Sequence, residues 1–292
     1  MKQLLILSGK GGTGKTTIAS AFIKLSRVRA YADCDVDAPN LHLTARWNAA
    51  PKVTDYYGLP KAVIDCERCI ACDHCRESCR FEAIFVEDGY EVDPFACEGC
   101  GVCEYICPVG AMTMEPDVAG ELMLYSDAEN VFSTAKLKMG SGTSGLLVTE
   151  VKKEMKAAAT DVELAIIDGS PGIGCPVIAS LSGVDMVLIV AEPSVSGISD
   201  MERIINTAER FRTKIVVCIN KYDTNIEHTE SIEEFCKERG LPLLGRIPFD
   251  SDAVKAINNG QSIVEIDCAS GRAVRAVYEK AMELLFAQKN TL

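Results

Sequence analysis

The chain has 292 residues, 48% hydrophobic and 25% charged, enough for one large globular domain plus a small one. A formal charge of −12 argues against the basic stripe that nucleic-acid binding needs and against docking on an anionic membrane surface. With no bilayer-spanning apolar run and no signal-peptide pattern, the expectation is a cytoplasmic protein whose 14 cysteines serve as metal ligands or redox groups instead of disulfides.

The first predicted strand, Gln3–Ser8, leads into Ser8-Gly9-Lys10-Gly11-Gly12-Thr13-Gly14-Lys15-Thr16-Thr17, and a helix is expected over 15–26. Glycines between a strand and a helix let backbone N–H groups close around phosphates at the positive end of the helix dipole. In such a loop Lys15 contacts the β- and γ-phosphates and the Thr16 hydroxyl ligates Mg²⁺. A second strand then opens onto the acidic loop Ala32-Asp33-Cys34-Asp35-Val36-Asp37-Ala38-Pro39-Asn40.

Nine of the cysteines fall between Cys66 and Cys107. Cys69, Cys72, Cys75 and Cys79 recur 28 residues later as Cys97, Cys100, Cys103 and Cys107, so the block is an internal repeat. Both runs have the Cys-x-x-Cys-x-x-Cys-x-x-x-Cys spacing of bacterial ferredoxins, in which the fourth cysteine of each run ligates the other cluster. That pattern assigns Cys69, Cys72, Cys75 and Cys107 to one 4Fe–4S cluster and Cys79, Cys97, Cys100 and Cys103 to a second. Zinc would use paired Cys-x-x-Cys steps and leave the third and fourth cysteines of each run unexplained. Cys66 precedes the first run and reads as a bystander, and Arg80 stands where proline usually follows the fourth cysteine.

Beyond the block, apolar runs at Leu122–Tyr125, Val162–Asp168, Met186–Ala191, Ile215–Asn220 and Leu243–Ile247 alternate with helical patterns near 144–158, 197–212, 228–239 and 271–288. Alternation of this kind predicts an α/β fold, a doubly wound, mostly parallel sheet. Residues 1–60 supply only its first two strands, so the expected organisation is a discontinuous domain over 1–60 and 116–292, with a small α+β ferredoxin-like domain inserted over 61–115. The last helix carries Val274, Val277, Tyr278, Ala281, Leu284 and Leu285 on one face, with Glu279 and Glu283 arguing for core packing over membrane contact.

Lys10, ahead of the paired glycines, makes the loop a deviant Walker A motif, and the chain here resembles the MinD/ParA/Mrp superfamily of P-loop ATPases, which includes the nitrogenase iron protein. The resemblance implies that Lys10 reaches across a dimer to the partner's nucleotide and that hydrolysis is slow and needs two subunits. It implies that 32–40 is switch I, with Asp33 near the metal and Asp35 positioning the attacking water. Such a carboxylate suits phosphoryl transfer, which depends on orientation and charge placement. Ile167-Asp168-Gly169-Ser170-Pro171-Gly172 resembles switch II, with Asp168 holding Mg²⁺. Asn220-Lys221-Tyr222-Asp223 matches the guanine-reading Asn-Lys-x-Asp pattern, yet the relatives place an Asn there against adenine. With the later Pro248 loop also resembling their base-proximal segment, ATP is favoured over GTP. Cys175, seven residues after Asp168, stands where the nitrogenase iron protein has a cluster ligand. The second cysteine such a cluster needs is missing near 142–145, which leaves a small structural residue or a redox contact.

Three functions follow from these readings. The favoured one is an ATPase dimer, homodimeric or paired with a paralogue, whose nucleotide state gates electron transfer through two 4Fe–4S clusters to an acceptor protein. An iron–sulfur carrier of the Mrp type is the alternative, although residues 116–292 lack that group's Cys-x-x-Cys. A MinD/ParA-like positioning ATPase with a redox-sensing insert comes third.

Overall fold

The computed structural model describes residues 1–44, 47 and 50–287. The chain begins with β1 (Lys2–Leu7), α1 (Lys15–Ser26), β2 (Ala30–Asp33) and β3 (Lys52–Tyr57). Next come β4 (Lys61–Ile64), α2 (His74–Glu77), β5 (Ile84–Val86), β6 (Tyr90–Val92), α3 (Val102–Ile106) and β7 (Met112–Glu115). The rest comprises β8 (Val118–Ser126), β9 (Val131–Leu137), α4 (Ser144–Ala158), β10 (Leu164–Asp168), α5 (Cys175–Leu181), β11 (Met186–Ala191), α6 (Val195–Ala208), β12 (Lys214–Asn220), α7 (Ile226–Glu238), β13 (Leu243–Ile247), α8 (Ser251–Asn258) and α9 (Ala269–Phe286).

Nine strands form one sheet in the order β13-β12-β11-β1-β10-β2-β9-β8-β3, parallel as far as β9 and antiparallel beyond it. Its central strands are buried on both faces, which is why Leu4-Leu5-Ile6-Leu7 and Met186–Ala191 read as unbroken apolar runs. One face packs Leu147, Val151, Val177, Ile204 and Ile232 from α4, α5, α6 and α7. The opposite face packs Ile18 and Phe22 of α1, Ala253 of α8 and Val274, Val277 and Ala281 of α9. The apolar stripe of α9 is therefore spent on the core, and no helix among the described residues is long and apolar enough to cross a membrane.

Two expectations need correction. Residues 1–60 contribute three strands, because β3 joins the sheet edge despite its exposed side chains. The run Leu122–Tyr125 is the middle of β8, which pairs antiparallel with β3 and β9, so this edge is a meander and not part of the parallel succession. The expected end of the last helix at residue 288 lies outside the described residues.

Residues 61–115 do not join the large sheet. β4 pairs with β7 and β5 with β6, each as a two-stranded antiparallel ribbon. Their small core consists of Ala62, Ala83, Ile84 and Met112 together with Cys75 and Cys97.

Candidate nucleotide and cysteine sites

The end of β1, the loop after it and the first turn of α1 enclose a cavity of about 570 Å³. Its lining includes Lys10, Gly11, Gly12, Thr13, Gly14, Lys15, Thr16 and Thr17 from the loop, Asp35 from the segment after β2, and Ser170, Pro171 and Pro176 from the segment after β10. Gly14 caps α1 in the left-handed region at φ 91°, with the Asn220 amide 2.3 Å from where a Cβ would stand, so only glycine fits there. Gly9 likewise gives way to α6, since a Cβ would meet that of Asp200 at 2.2 Å.

Lys15 is almost fully buried and its Nζ lies 2.6 Å from Asp168 Oδ1 and 3.4 Å from Thr16 Oγ1. Burial pulls its pKa down, but the charge and hydrogen bond of Asp168, helped by Asp33 and Asp35, raise it overall. Asp168 is fully buried and its second oxygen, Oδ2, has no partner. An orphaned anionic oxygen beside Lys15 and Thr16 is the donor that a hard cation such as Mg²⁺ requires.

Asp33 is also fully buried; its carboxylate accepts the backbone N–H groups of Asp35, Asn40 and Leu41 at 2.9–3.0 Å. Burial, then the nearby Asp168 charge, lifts its pKa to about 7 against those hydrogen bonds. It therefore shapes the 35–41 loop from behind, while Asp35 faces the cavity and is itself raised in pKa, chiefly by burial.

Lys10 lies on the cavity but points within its own chain, 3.0 Å from Glu192 Oε2 and donating to Ser194 Oγ at 3.0 Å. Glu192 also holds Lys221 at 3.2 Å. Burial pushes the Glu192 carboxyl up, but hydrogen bonds from the two lysines bring its pKa below the usual range. The sequence reading passed over Glu192 and Ser194. The only available signal was their place just after the buried strand β11, near the level of Asp33 at the end of β2 and Asp168 at the end of β10.

The base-binding candidates sit together beside this loop but do not line its cavity. Asn220 Nδ2 donates to Thr13 O at 2.6 Å, Lys221 donates to Gly12 O at 2.8 Å, and Asp223 Oδ1 accepts from Phe249 N at 2.7 Å, next to Pro248. A second cleft of about 550 Å³ shares Thr16, Thr17 and Asn40 with the first and continues to Asn258, Gln261 and Ser262.

In residues 61–115 eight of the nine cysteines line two separate cavities. Cys69, Cys72, Cys75 and Cys107 line one cavity with Ile64, Ile70, Val109, Ala111 and Met112. Cys79, Cys97, Cys100 and Cys103 line another with Ala62, Ala83, Ile84, Val92 and Met114. Each quartet thus draws three thiols from one run and the fourth from the other. Among the described residues no three His, Cys, Asp or Glu side chains are placed to share a single metal ion. Cys107 Sγ accepts the Ala111 N–H at 3.2 Å; burial opposes ionisation, but N–H groups from Val109, Ala111, Met112 and Gly110 leave its pKa lowered. Burial raises Cys75 and Cys103, and their neighbours Cys69, Cys72, Cys97 and Cys100 add to the rise. Four sulfur donors crowded into an apolar cavity fit a polynuclear iron–sulfur centre. Cys66 is exposed and lines neither cavity. Cys175 is exposed at the first turn of α5 against Gly145, whereas Cys34, Cys218, Cys236 and Cys268 are buried.

A nucleotide-binding α/β fold of the deviant P-loop kind is what this arrangement defines. The chain belongs to the CobQ/CobB/MinD/ParA nucleotide binding domain family, which it matches over residues 4–263. Its relatives include "Uncharacterized protein MJ0578" of Methanocaldococcus jannaschii, 31% identical over 97% of both chains. The "Iron-sulfur cluster carrier protein" of Pyrococcus abyssi is 23% identical over 98% of this chain and 88% of its own. "Uncharacterized ferredoxin MJ0155" of M. jannaschii is 32% identical over 90 residues, 30% of this chain and 59% of its own. Among solved structures, the septum site-determining protein MinD of Pyrococcus horikoshii in complex with Mg-ADP superposes with a TM-score of 0.59 at 16% identity, covering 99% of both chains.

Proposed function

We propose that this protein is an ATPase whose nucleotide state, in a dimer, gates electron transfer through two 4Fe–4S clusters to a partner protein. The observation that carries this reading is the presence in one chain of a cavity lined by the glycine-rich loop with Lys15 and two cavities each lined by four thiols. Residues 61–115 are taken as the inserted unit that holds the clusters. Bound by the two quartets, the clusters would supply one-electron storage and transfer.

The chain's own residues supply the rest. The loop from Lys10 to Thr17 would hold the phosphates with Lys15 neutralising them, and Thr16 with the unpartnered oxygen of Asp168 would hold Mg²⁺. Asp35, on the open side of the cavity, orients the attacking water, and Asp33 fixes the loop that carries it. Lys10 completes the site of a second subunit once released from Glu192. ATP is favoured over GTP because the chain belongs to the CobQ/CobB/MinD/ParA family and carries Asn220 at the end of β12. With twelve acidic against four basic residues in 61–115, the acceptor is a protein with a basic contact face.

The test is an EPR-monitored redox titration of anaerobically purified protein without nucleotide, with ADP and with a non-hydrolysable ATP analogue. A triphosphate-dependent change in potential or spectrum supports gating; an active ATPase with two clusters that ignore it would remove the reading. A second reading, delivery of clusters to other proteins, is favoured by likeness to the archaeal iron–sulfur cluster carrier. Loss of iron to an apo-acceptor would support it.

A further inference from the structure

The two quartets stand at different distances from the nucleotide-binding body. β4 and β7 form the stem of residues 61–115, and Lys61 pairs with Glu115 at its base. Ala62 and its partner Met114 face the second cavity, while Ile64 and its partner Met112 face the first. Two residues of antiparallel strand span about 7 Å. The quartet of Cys79, Cys97, Cys100 and Cys103 is therefore the inner one, and that of Cys69, Cys72, Cys75 and Cys107 the outer.

The inner quartet also makes the contacts with the body. Lys61 Nζ ties Cys97 O to the base of the stem at 2.5 Å, and on the body side Gly99 packs so closely on Leu59 and Pro60 that a Cβ would come within 2.4 Å of Pro60 O. Phe95 and Glu98 lean on the segment Lys138–Gly145. A Cβ at Gly140 would meet the Phe95 ring at 3.1 Å, and one at Gly142 would meet Glu98 Oε2 at 3.3 Å. The far end of that segment lies against α5, since a Cβ at Gly145 would meet Cys175 at 3.1 Å. Pro176, the next residue, lines the phosphate cavity with Ser170 and Pro171. One stretch of eight residues thus bears on the inner quartet at one end and on the cavity wall at the other.

We infer that Lys138–Gly145 transmits nucleotide state to the inner quartet, with Phe95 and Glu98 as positioning residues, and that the outer quartet does not receive this signal directly. The inference rests on the gated electron-transfer reading above. A ligand moves such a segment only through contacts that differ between its two arrangements, and the Ser170–Pro176 wall is where a terminal phosphate would make them. Phe95 lies outside the small core, and its ring stands next to Gly140 of the segment.

The experiment uses anaerobic holoprotein, wild type and Phe95→Ala/Glu98→Ala, with and without a non-hydrolysable ATP analogue, and reads two quantities. In hydrogen exchange, the analogue is expected to slow amides of 138–145 and of 95–103 in the wild type. In the double variant the response at 138–145 stays and that at 95–103 is lost. In EPR-monitored titration, one of the two clusters is expected to shift with the analogue in the wild type and not in the variant. Iron content checks that the variant retains both clusters, and the single variants replace the double one if it does not. A full potential shift in the variant, or a wild-type exchange response at 66–75 in place of 95–103, would overturn the relay and leave gating intact. A wild type whose clusters and exchange both ignore the analogue would overturn the relay and the gating reading together.

Discussion

Lys10 and Glu192 form an ion pair 3.0 Å long within one chain, which holds Lys10 back from the second subunit that we propose it serves. The side chains are 34% and 19% exposed, so the pair is a weak tether that a nucleotide phosphate can outcompete. Replacing Glu192 by Gln is expected to raise ATP-dependent dimerisation up to about fivefold, the equivalent of one partly exposed ion pair. Sedimentation with a non-hydrolysable ATP analogue reads this directly. Lys10→Ala should keep nucleotide binding by the monomer and lose hydrolysis.

Lys15 and Asp168 present the opposite case, a pair whose side chains are only 6% and 0% exposed. Lys15→Ala strands a buried carboxylate, which costs about 3–5 kcal/mol, and removes the phosphate contact as well. Adding Asp168→Asn should restore most of the stability without restoring nucleotide binding. Urea unfolding and calorimetric titration of ATP separate the two effects.

Cys79 and Cys107 each sit in the quartet of the other run. Cys79→Ala should therefore disturb the cluster held by Cys97, Cys100 and Cys103 and leave roughly half the iron, bound by the remaining intact quartet. If the EPR signal lost on Cys79→Ala were the one lost on Cys69→Ala, the cross-run pairing would be wrong.

Removing iron should unfold residues 61–115 and spare the nine-stranded body. Besides its cysteines the small core buries just Ala62, Ala83, Ile84 and Met112, with Ile64, Tyr90, Val92, Ala96 and Met114 half-buried against it, a small core for a unit of this size. Chelation under reducing conditions should abolish protection of 61–115 in limited proteolysis while ATP still protects the remainder.

Lys152 gives a pH-dependent prediction. Its ammonium lies buried against three carbonyls, of Ala179, Ser180 and Ser182, at 2.6–3.1 Å. Burial pushes its pKa down from 10.5 to about 8. Between those values the unfolded chain holds a proton that the folded chain has released, so stability rises with pH across that window. The penalty for the buried charge is complete below the folded value and is relieved above it. The difference in unfolding free energy between wild type and Lys152→Met should change by about 2–3 kcal/mol from pH 7.5 to 10.5.

Much of this could be seen in the residues alone, for identifiable reasons. The P-loop, the apolar parallel strands and the two cysteine runs are local patterns, and spacing alone carries them. The edge was obscure because β3 exposes most of its side chains and β9 places Ser133 and Thr134 in buried positions, so neither shows an apolar run. Glu192 was obscure for another reason. Its meaning lies in meeting Lys10 and Lys221 in space, across 182 and 29 positions of sequence, a relationship no local pattern encodes.

The chain enters and leaves residues 61–115 on neighbouring strands, with Lys61 opposite Glu115 and, just before, Tyr57 opposite Val118. Cutting out everything between Tyr57 and Val118 and closing the gap with a short turn would turn β3 and β8 into an ordinary hairpin. The nine-stranded sheet would keep every hydrogen-bonded neighbour it now has. A chain without residues 58–117 needs no different architecture for its sheet, because the added length enters at a hairpin tip, where a sheet tolerates extra chain best.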